Sequence, residues 1–190
     1  MSSAAKKTYV TSAEYLAIER AATYKSEYRD GQIYAMSGVS RPHSLIATNL
    51  ARHLANQLEG RECELHIAEM RVRIQRTGSY SYPDLVIVCG EPRMEDQVFD
   101  TLLNPTLIIE ILSPSTESYD RGVKFADYRE IESLSDYVLV SQDKILIERF
   151  TRQGDSWVLM VHNQAEGVLR LPSIGCDLAL RDVYARVPMA

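Results

Sequence analysis

Apolar residues at Ile46, Leu50, Leu54 and Leu58 step by four, and Leu45, Ala47, Ala51 and Ala55 widen the stripe, so the longest helix is expected over 42–58. Pro42 suits its first turn and Gly60 its stop, with His43 in that first turn on the side of Ala47 and Leu50. A shorter helix should follow Thr11, where Thr11-Ser12-Ala13-Glu14 has capping-box spacing ahead of Tyr15, Leu16, Ile18 and Ala22. Asp30-Gly31 between two short runs predicts a hairpin with a type I′ turn, and strand alternation puts Glu27 and Arg29 on one face. The runs 63–67 and 70–76 read as a strand pair or one bent strand, in which Arg71 and Arg73 share a face opposite Val72 and Ile74.

Two runs break the alternation. Leu85-Val86-Ile87-Val88 and Leu107-Ile108-Ile109-Glu110-Ile111-Leu112 are rich in β-branched residues, as strands covered on both faces are. Asp84 begins the first and Glu110 lies near the end of the second, so antiparallel neighbours would bring the two carboxylates together. Ionised carboxylates in such surroundings are costly unless a cation or donors meet them. Their connection, 90–105, is long for a hairpin and charged. After Ser113-Pro114-Ser115, Asp120 is expected to cap a helix with Phe125, Tyr128 and Ile131 on one flank. Arg121, Lys124 and Tyr128 fall near one another on it, which lets Lys124 reach back toward the carboxylates. The rest, through 136–140, 145–150, 157–162 and 168–171, should extend the sheet as a meander before a short helix over 180–185.

Composition narrows the function classes. A chain of 190 residues with 45% hydrophobic and 25% charged residues fits one domain, 1–190, of ordinary globular character. The formal charge of -5 requires that a nucleic-acid partner be held by a local basic patch or bridging cations. Arg71, Arg73 and Arg121 are the candidate phosphate contacts, a solvated edge face being the alternative for the first two. Cys63, Cys89 and Cys176 lack metal-ligand spacing, and their odd number argues for small core residues in a reducing cytoplasm rather than a disulfide framework. No apolar core of a signal peptide stands at 1–7, and no run is long enough for a membrane span.

Asp84 and Glu110, with the backbone carbonyl of Ile111 and several waters, suit the oxygen-rich octahedral shell of Mg²⁺ or Mn²⁺. A lysine beside such an ion can orient an attacking water or stabilise charge on a phosphate, which is the inventory of phosphodiester hydrolysis. The bland alternatives are an ordinary Pro-Asp turn and a strand glutamate paired with an arginine.

At these residues the chain resembles the Uma-type "putative restriction endonuclease" family, formerly a domain of unknown function, within the PD-(D/E)XK nuclease superfamily. The resemblance runs through the hairpin over 28–38, the His43 helix, Tyr82-Pro83-Asp84, Glu110-Ile111-Leu112-Ser113-Pro114-Ser115, and Tyr119-Asp120-Arg121-Gly122 on to Tyr128. It implies an α/β (α+β) fold: a restriction-endonuclease-like core with a mixed central β-sheet flanked by helices, preceded by an N-terminal helix and β-hairpin. It also implies divalent-cation binding by Asp84 and Glu110. The superfamily places lysine two residues after the glutamate, where this chain has Leu112, and the Uma-type pattern resembles a migrated arrangement with Lys124 supplying the cation. Glu27 and His43 match family positions as auxiliary candidates. The expected function is a Mg²⁺-dependent DNA endonuclease, cytoplasmic and, by analogy with enzymes that cut both strands, homodimeric. The alternatives are a catalytically inactive nucleic-acid-binding or interaction protein on the same fold, and a metal-dependent enzyme acting on another phosphate ester.

Overall fold

The computed structural model describes residues 9–189, so the stretch 1–7 read for a leader lies outside the described residues. Helix α1 (Ser12–Ala21) carries its capping box: the Glu14 N–H donates to the Thr11 hydroxyl at 3.2 Å, and the Thr11 N–H donates to the Glu14 carboxylate at 2.8 Å. The hairpin of β1 (Ser26–Arg29) and β2 (Gln32–Ala35) turns through Asp30 at φ 47° and Gly31 at φ 73°. Helix α2 (Arg41–Leu58) is capped by the Ser40 hydroxyl, which accepts from the His43 N–H. Its four-residue steps are buried as predicted, and His43 continues the same stripe to the helix's N-terminal end.

The strands that follow are β3 (Cys63–Ile67), β4 (Arg71–Ile74), β5 (Ser79–Ser81), β6 (Leu85–Cys89), β7 (Thr101–Leu102), β8 (Leu107–Leu112), β9 (Asp136–Ser141), β10 (Ile147–Gln153) and β11 (Ser156–His162). Six form a mixed sheet in the order β11-β10-β9-β8-β6-β3, in which β8 runs antiparallel to β6 and parallel to β9. A second sheet has the order β2-β1-β5-β4-β7. β8 is interior and buried on both faces: Leu107, Ile109 and Ile111 pack in the core that contains the α2 leucines, while Ile108 and Leu112 join Tyr128 and Tyr137 in another. This explains why β6 and β8 show no polar alternation.

Several expectations are corrected. β3 and β4 are neither partners nor one strand: Ala68 takes φ 53° between them, β3 pairs with β6, and β4 joins the second sheet. β12 (Val168–Leu171) does not extend the meander but pairs with β13 (Cys176–Ala179) in a separate two-stranded sheet. Asp120 does not begin a helix. It lies inside a helical stretch formed by α3 (Glu117–Tyr119), a π-helical turn (Asp120–Lys124) and α4 (Phe125–Tyr128). Cys63 and Cys89, opposite each other across the β3–β6 ladder, are joined by a disulfide, whereas Cys176 is free and buried. Cross-strand register brings together cysteines that sequence separation hides. A final helix, α5 (Leu180–Val183), packs with α2. Among the described residues no helix is long and apolar enough to cross a membrane.

Candidate active site

The antiparallel register of β6 and β8 sets Leu85 opposite Ile109, so the next positions outward are Asp84 and Glu110. The Asp84 carbonyl accepts from the Ala68 N–H at 2.9 Å, which fixes the chain just ahead of β6. Its side chain turns toward β8 and α2: Oδ2 accepts from the Ile111 N–H at 2.7 Å and stands 3.1 Å from His43 Nε2. Ile111 therefore meets Asp84 through its N–H, and the residue lines the cavity described below.

Lys124 comes from the π-helical turn, only 6% exposed, and its Nζ lies 2.9 Å from Glu110 Oε1 and 3.0 Å from Glu27 Oε1. Asp120, one turn back, is 3.8 Å away. The Tyr128 hydroxyl donates to Glu110 Oε1 at 3.0 Å, and the Tyr82 N–H donates to Glu27 Oε1 at 3.1 Å. Asp120, Lys124 and Tyr128 thus form one face at intervals of four; from the sequence alone, Lys124 and Tyr128 group with Arg121, and Asp120 has the role of a cap. The wide turn is suited to aiming all three inward, and such turns recur at functional sites.

Charge is unbalanced here. Glu27, Asp84, Glu110 and Asp120 line a cavity of about 660 Å³ together with Lys124 and His43. Burial pushes the Glu110 carboxyl well above its usual range; Lys124 opposes this, while Asp120, Asp84 and Glu27 add to it. Burial alone would lower Lys124, but Glu110, Glu27 and Asp120 outweigh it and hold the ammonium charged well above the ordinary lysine range. The Asp120 carboxyl is raised by burial against the pull of Lys124.

The donor set fits a divalent cation. Asp84 uses Oδ2 and Glu110 uses Oε1 for protein contacts; the other oxygen of each has no protein hydrogen bond among the described residues. Among those residues no three His, Cys, Asp or Glu side chains form a protein-only cage. An ion held by two carboxylates keeps several waters, as Mg²⁺ does.

The other candidates lie elsewhere. Arg71 is 2% exposed, with Nε donating to Thr101 at 3.0 Å, Nη1 donating to the Tyr82 hydroxyl at 2.8 Å, and Nη2 2.9 Å from Asp100. Arg73 is paired with Glu95. The shared face of these arginines is covered by the returning 90–105 connection, so it is not an open phosphate-contacting stripe. Arg121 turns to Glu117 at 2.8 Å and to Glu148. Leu112, in the superfamily's lysine position, is buried in the core with Tyr128 and Tyr137.

Comparison with known proteins gives the family and the fold. Residues 12–181 match the Uma2 family model, described as "Putative restriction endonuclease". The chain is similar to the uncharacterized protein slr1290 of Synechocystis sp. (strain ATCC 27184 / PCC 6803 / Kazusa), 39% identical over 171 residues, covering 90% of this chain and 89% of that one. It is also similar to sll1609 of the same organism, 37% identical over 151 residues and covering 79% and 85%. A crystal structure described as a putative nuclease from Anabaena variabilis ATCC 29413 superposes with a TM-score of 0.77 over 93% of this chain and 98% of that one. At 17% identity that likeness is one of fold, the restriction-endonuclease-like arrangement of mixed sheets flanked by helices.

Proposed function

The chain belongs to the Uma2 "Putative restriction endonuclease" family, and from that premise we propose that it is a Mg²⁺- or Mn²⁺-dependent DNA endonuclease hydrolysing phosphodiester bonds in the cavity below α2. The observation that carries this reading is the pair Asp84 and Glu110, each with one oxygen free of protein partners, beside a buried, charged Lys124. Those two carboxylates would hold the ion, and Ile111 offers its backbone alongside. A bound divalent cation there supplies a more acidic water and compensates charge on the phosphate.

The chain's own residues do the rest. The Ile111 N–H and His43 keep Asp84 turned toward the cavity. Glu27 and Glu110 keep Lys124 protonated, so its ammonium can orient a water or meet charge developing on a phosphoryl oxygen. Leu112 is too apolar for that task, and the helix takes it over. Arg121 is the remaining candidate for a backbone phosphate, reached by exchange with Glu117.

DNA cleavage should appear with Mg²⁺ or Mn²⁺, vanish with chelator, and be lost in Asp84→Ala and Glu110→Ala proteins that still melt cooperatively. Undiminished cleavage in both variants would overturn the assignment. The competing reading, a DNA-binding protein without turnover, is motivated by Leu112, and salt-sensitive binding without metal-stimulated cleavage would favour it. A panel including non-nucleic-acid phosphate esters tests the substrate class. A cytoplasmic location, where DNA is accessible, belongs to the same proposal and requires that the Cys63–Cys89 disulfide persist against a reducing thiol pool.

A homodimer completes it. The edge strand β11 exposes Val158, Leu159, Met160 and Val161 and carries no charged side chain. Antiparallel pairing with a second copy would cover these residues without opposing like charges. Sedimentation should give a dimer that Leu159→Lys converts to monomer; a monomeric parent protein would overturn it.

A further inference from the structure

The mouth of the cavity differs in character from its floor. Tyr34, Met36 and Val39, from β2 and the connection to α2, line the cavity and are 52%, 39% and 63% exposed. Glu110 at the floor is 3% exposed. Tyr34 is the cross-strand partner of Glu27, whose carboxylate meets Lys124. Such partners have Cβ atoms about 5 Å apart on one sheet face, so the Tyr34 ring stands a side chain's length from the charged cluster.

Charge at this mouth gives a phosphate backbone little to hold. The lining groups able to carry positive charge are Arg29, His43 and Lys124, and each faces an acid: Arg29 lies 3.0 Å from Asp127, His43 3.1 Å from Asp84, and Lys124 3.0 Å from Glu27. Four carboxylates line the same space. A duplex-binding groove draws its affinity from unpaired Lys and Arg along the phosphates. Besides uncharged polar side chains such as Ser37 and Thr116, the lining offers a nucleic acid the exposed apolar and aromatic groups Tyr34, Met36 and Val39. A base-paired duplex hides its base faces within the stack and cannot offer one to Tyr34, whereas an unpaired nucleotide can.

We propose that the substrate is single-stranded or locally unpaired DNA, whose exposed base stacks on Tyr34 against Met36 and Val39 while its phosphate enters toward Asp84, Glu110 and Lys124. This inference rests on the nuclease reading for the phosphate and on the hairpin geometry for the base.

The test uses fluorescent oligonucleotides of one sequence as a single strand, a forked duplex and a blunt duplex. Binding is measured with Ca²⁺ and cleavage with Mg²⁺ or Mn²⁺. The single strand and the fork should bind and be cut about tenfold better than the blunt duplex, with Tyr34→Ala removing most of that preference and Tyr34→Phe keeping it. Val39→Asp provides a second variant and should weaken the single strand more than the duplex. Equal or better use of the blunt duplex, or a preference unchanged in Tyr34→Ala and Val39→Asp, overturns the inference. Preferential binding of unpaired DNA that depends on Tyr34, without cleavage of any substrate, supports it while defeating the nuclease reading.

Discussion

Two buried charge clusters lie on either side of the Tyr82-Pro83-Asp84 segment. In one, Arg71 is surrounded by Thr101, the Tyr82 hydroxyl and Asp100, while Tyr82 donates onward to Glu19 at 3.0 Å and Glu19 accepts from the Ser26 N–H. In the other, Lys124 is surrounded by Glu27, Glu110 and Asp120. Both bury ions, and each shifts the titration of particular groups: Arg71 and Asp100 in the first, Glu110, Asp120 and Lys124 in the second. The difference lies in closure. The Arg71 cluster turns its groups onto one another, and Arg71, Glu19 and Asp100 do not line the cavity. The Lys124 cluster opens on the cavity with more carboxylates than cations and with oxygens left over. Burial of charge therefore marks both structural and functional sites, and unspent acceptor capacity facing a cavity separates them.

The widest separation should come from the metal-facing carboxylates. Asp84→Ala and Glu110→Ala are each expected to lower cleavage at least about 10²-fold, the scale on which a single transition-state stabiliser acts. Isothermal titration with Mn²⁺ should show weakened binding in both. Arg71→Ala should leave Mn²⁺ binding unchanged in the folded protein. If Arg71→Ala abolished metal binding in protein that remains folded, the two clusters would not be separable.

Lys124 probes the boundary between the roles, because it compensates buried carboxylates as well as facing the cavity. Lys124→Met should lower cleavage by about 10²-fold and also destabilise the fold, since Glu110 and Glu27 lose their counter-ion. Adding Glu27→Gln should recover stability, read by urea denaturation, without recovering cleavage. Recovery of both would mean that Lys124 acts through folding alone.

Arg71→Ala should act on stability, by about 1.5–3 kcal/mol, the scale of lost hydrogen bonds to a charged group, since Asp100 is partly exposed and keeps Arg20. Denaturant unfolding measures this, and activity per folded molecule should hold.

That contrast also marks what could be read from the sequence. Period-two spacing and the absence of polar alternation in β6 and β8 were enough to bring Asp84 and Glu110 together once the strands ran antiparallel. The stripe on α2 was legible for the same reason: periodicity is local. The burial of Arg71 and the pairing of Arg73 with Glu95 were not, because alternation tells which side chains share a face and not what covers it. Here the cover is the 90–105 connection, returning as β7 beside β4. The positive φ of Ala68, which sends β3 and β4 to different sheets, has no glycine to announce it. The π-helical turn likewise leaves no sequence pattern, although the 120, 124, 128 spacing holds the face that it presents. Helical spacing was enough to turn Lys124 toward the carboxylates, while its role as the migrated lysine came from family resemblance.

The smallest expected effect is a pH dependence of opposite origin in the two clusters. Arg20 holds the Asp100 carboxyl well below the usual carboxylate range; partial burial opposes it, and Thr101 and Arg71 assist. A folded-state pKa below the unfolded one gives stability that is fully present above about pH 4 and is lost as pH falls through the folded value. Asp100→Asn should therefore lower Tm near pH 7 by about 2–4 °C, the shift that about 1 kcal/mol produces at this chain length. The gap should close on acidification. Glu110 is displaced the other way, upward by burial, so protonation in acid relieves a desolvation cost that outweighs its pairing with Lys124. Thermal melts of both proteins between pH 7 and pH 3 test this, and a gap that widens in acid would reverse the assignment of Asp100 to the closed, structural cluster.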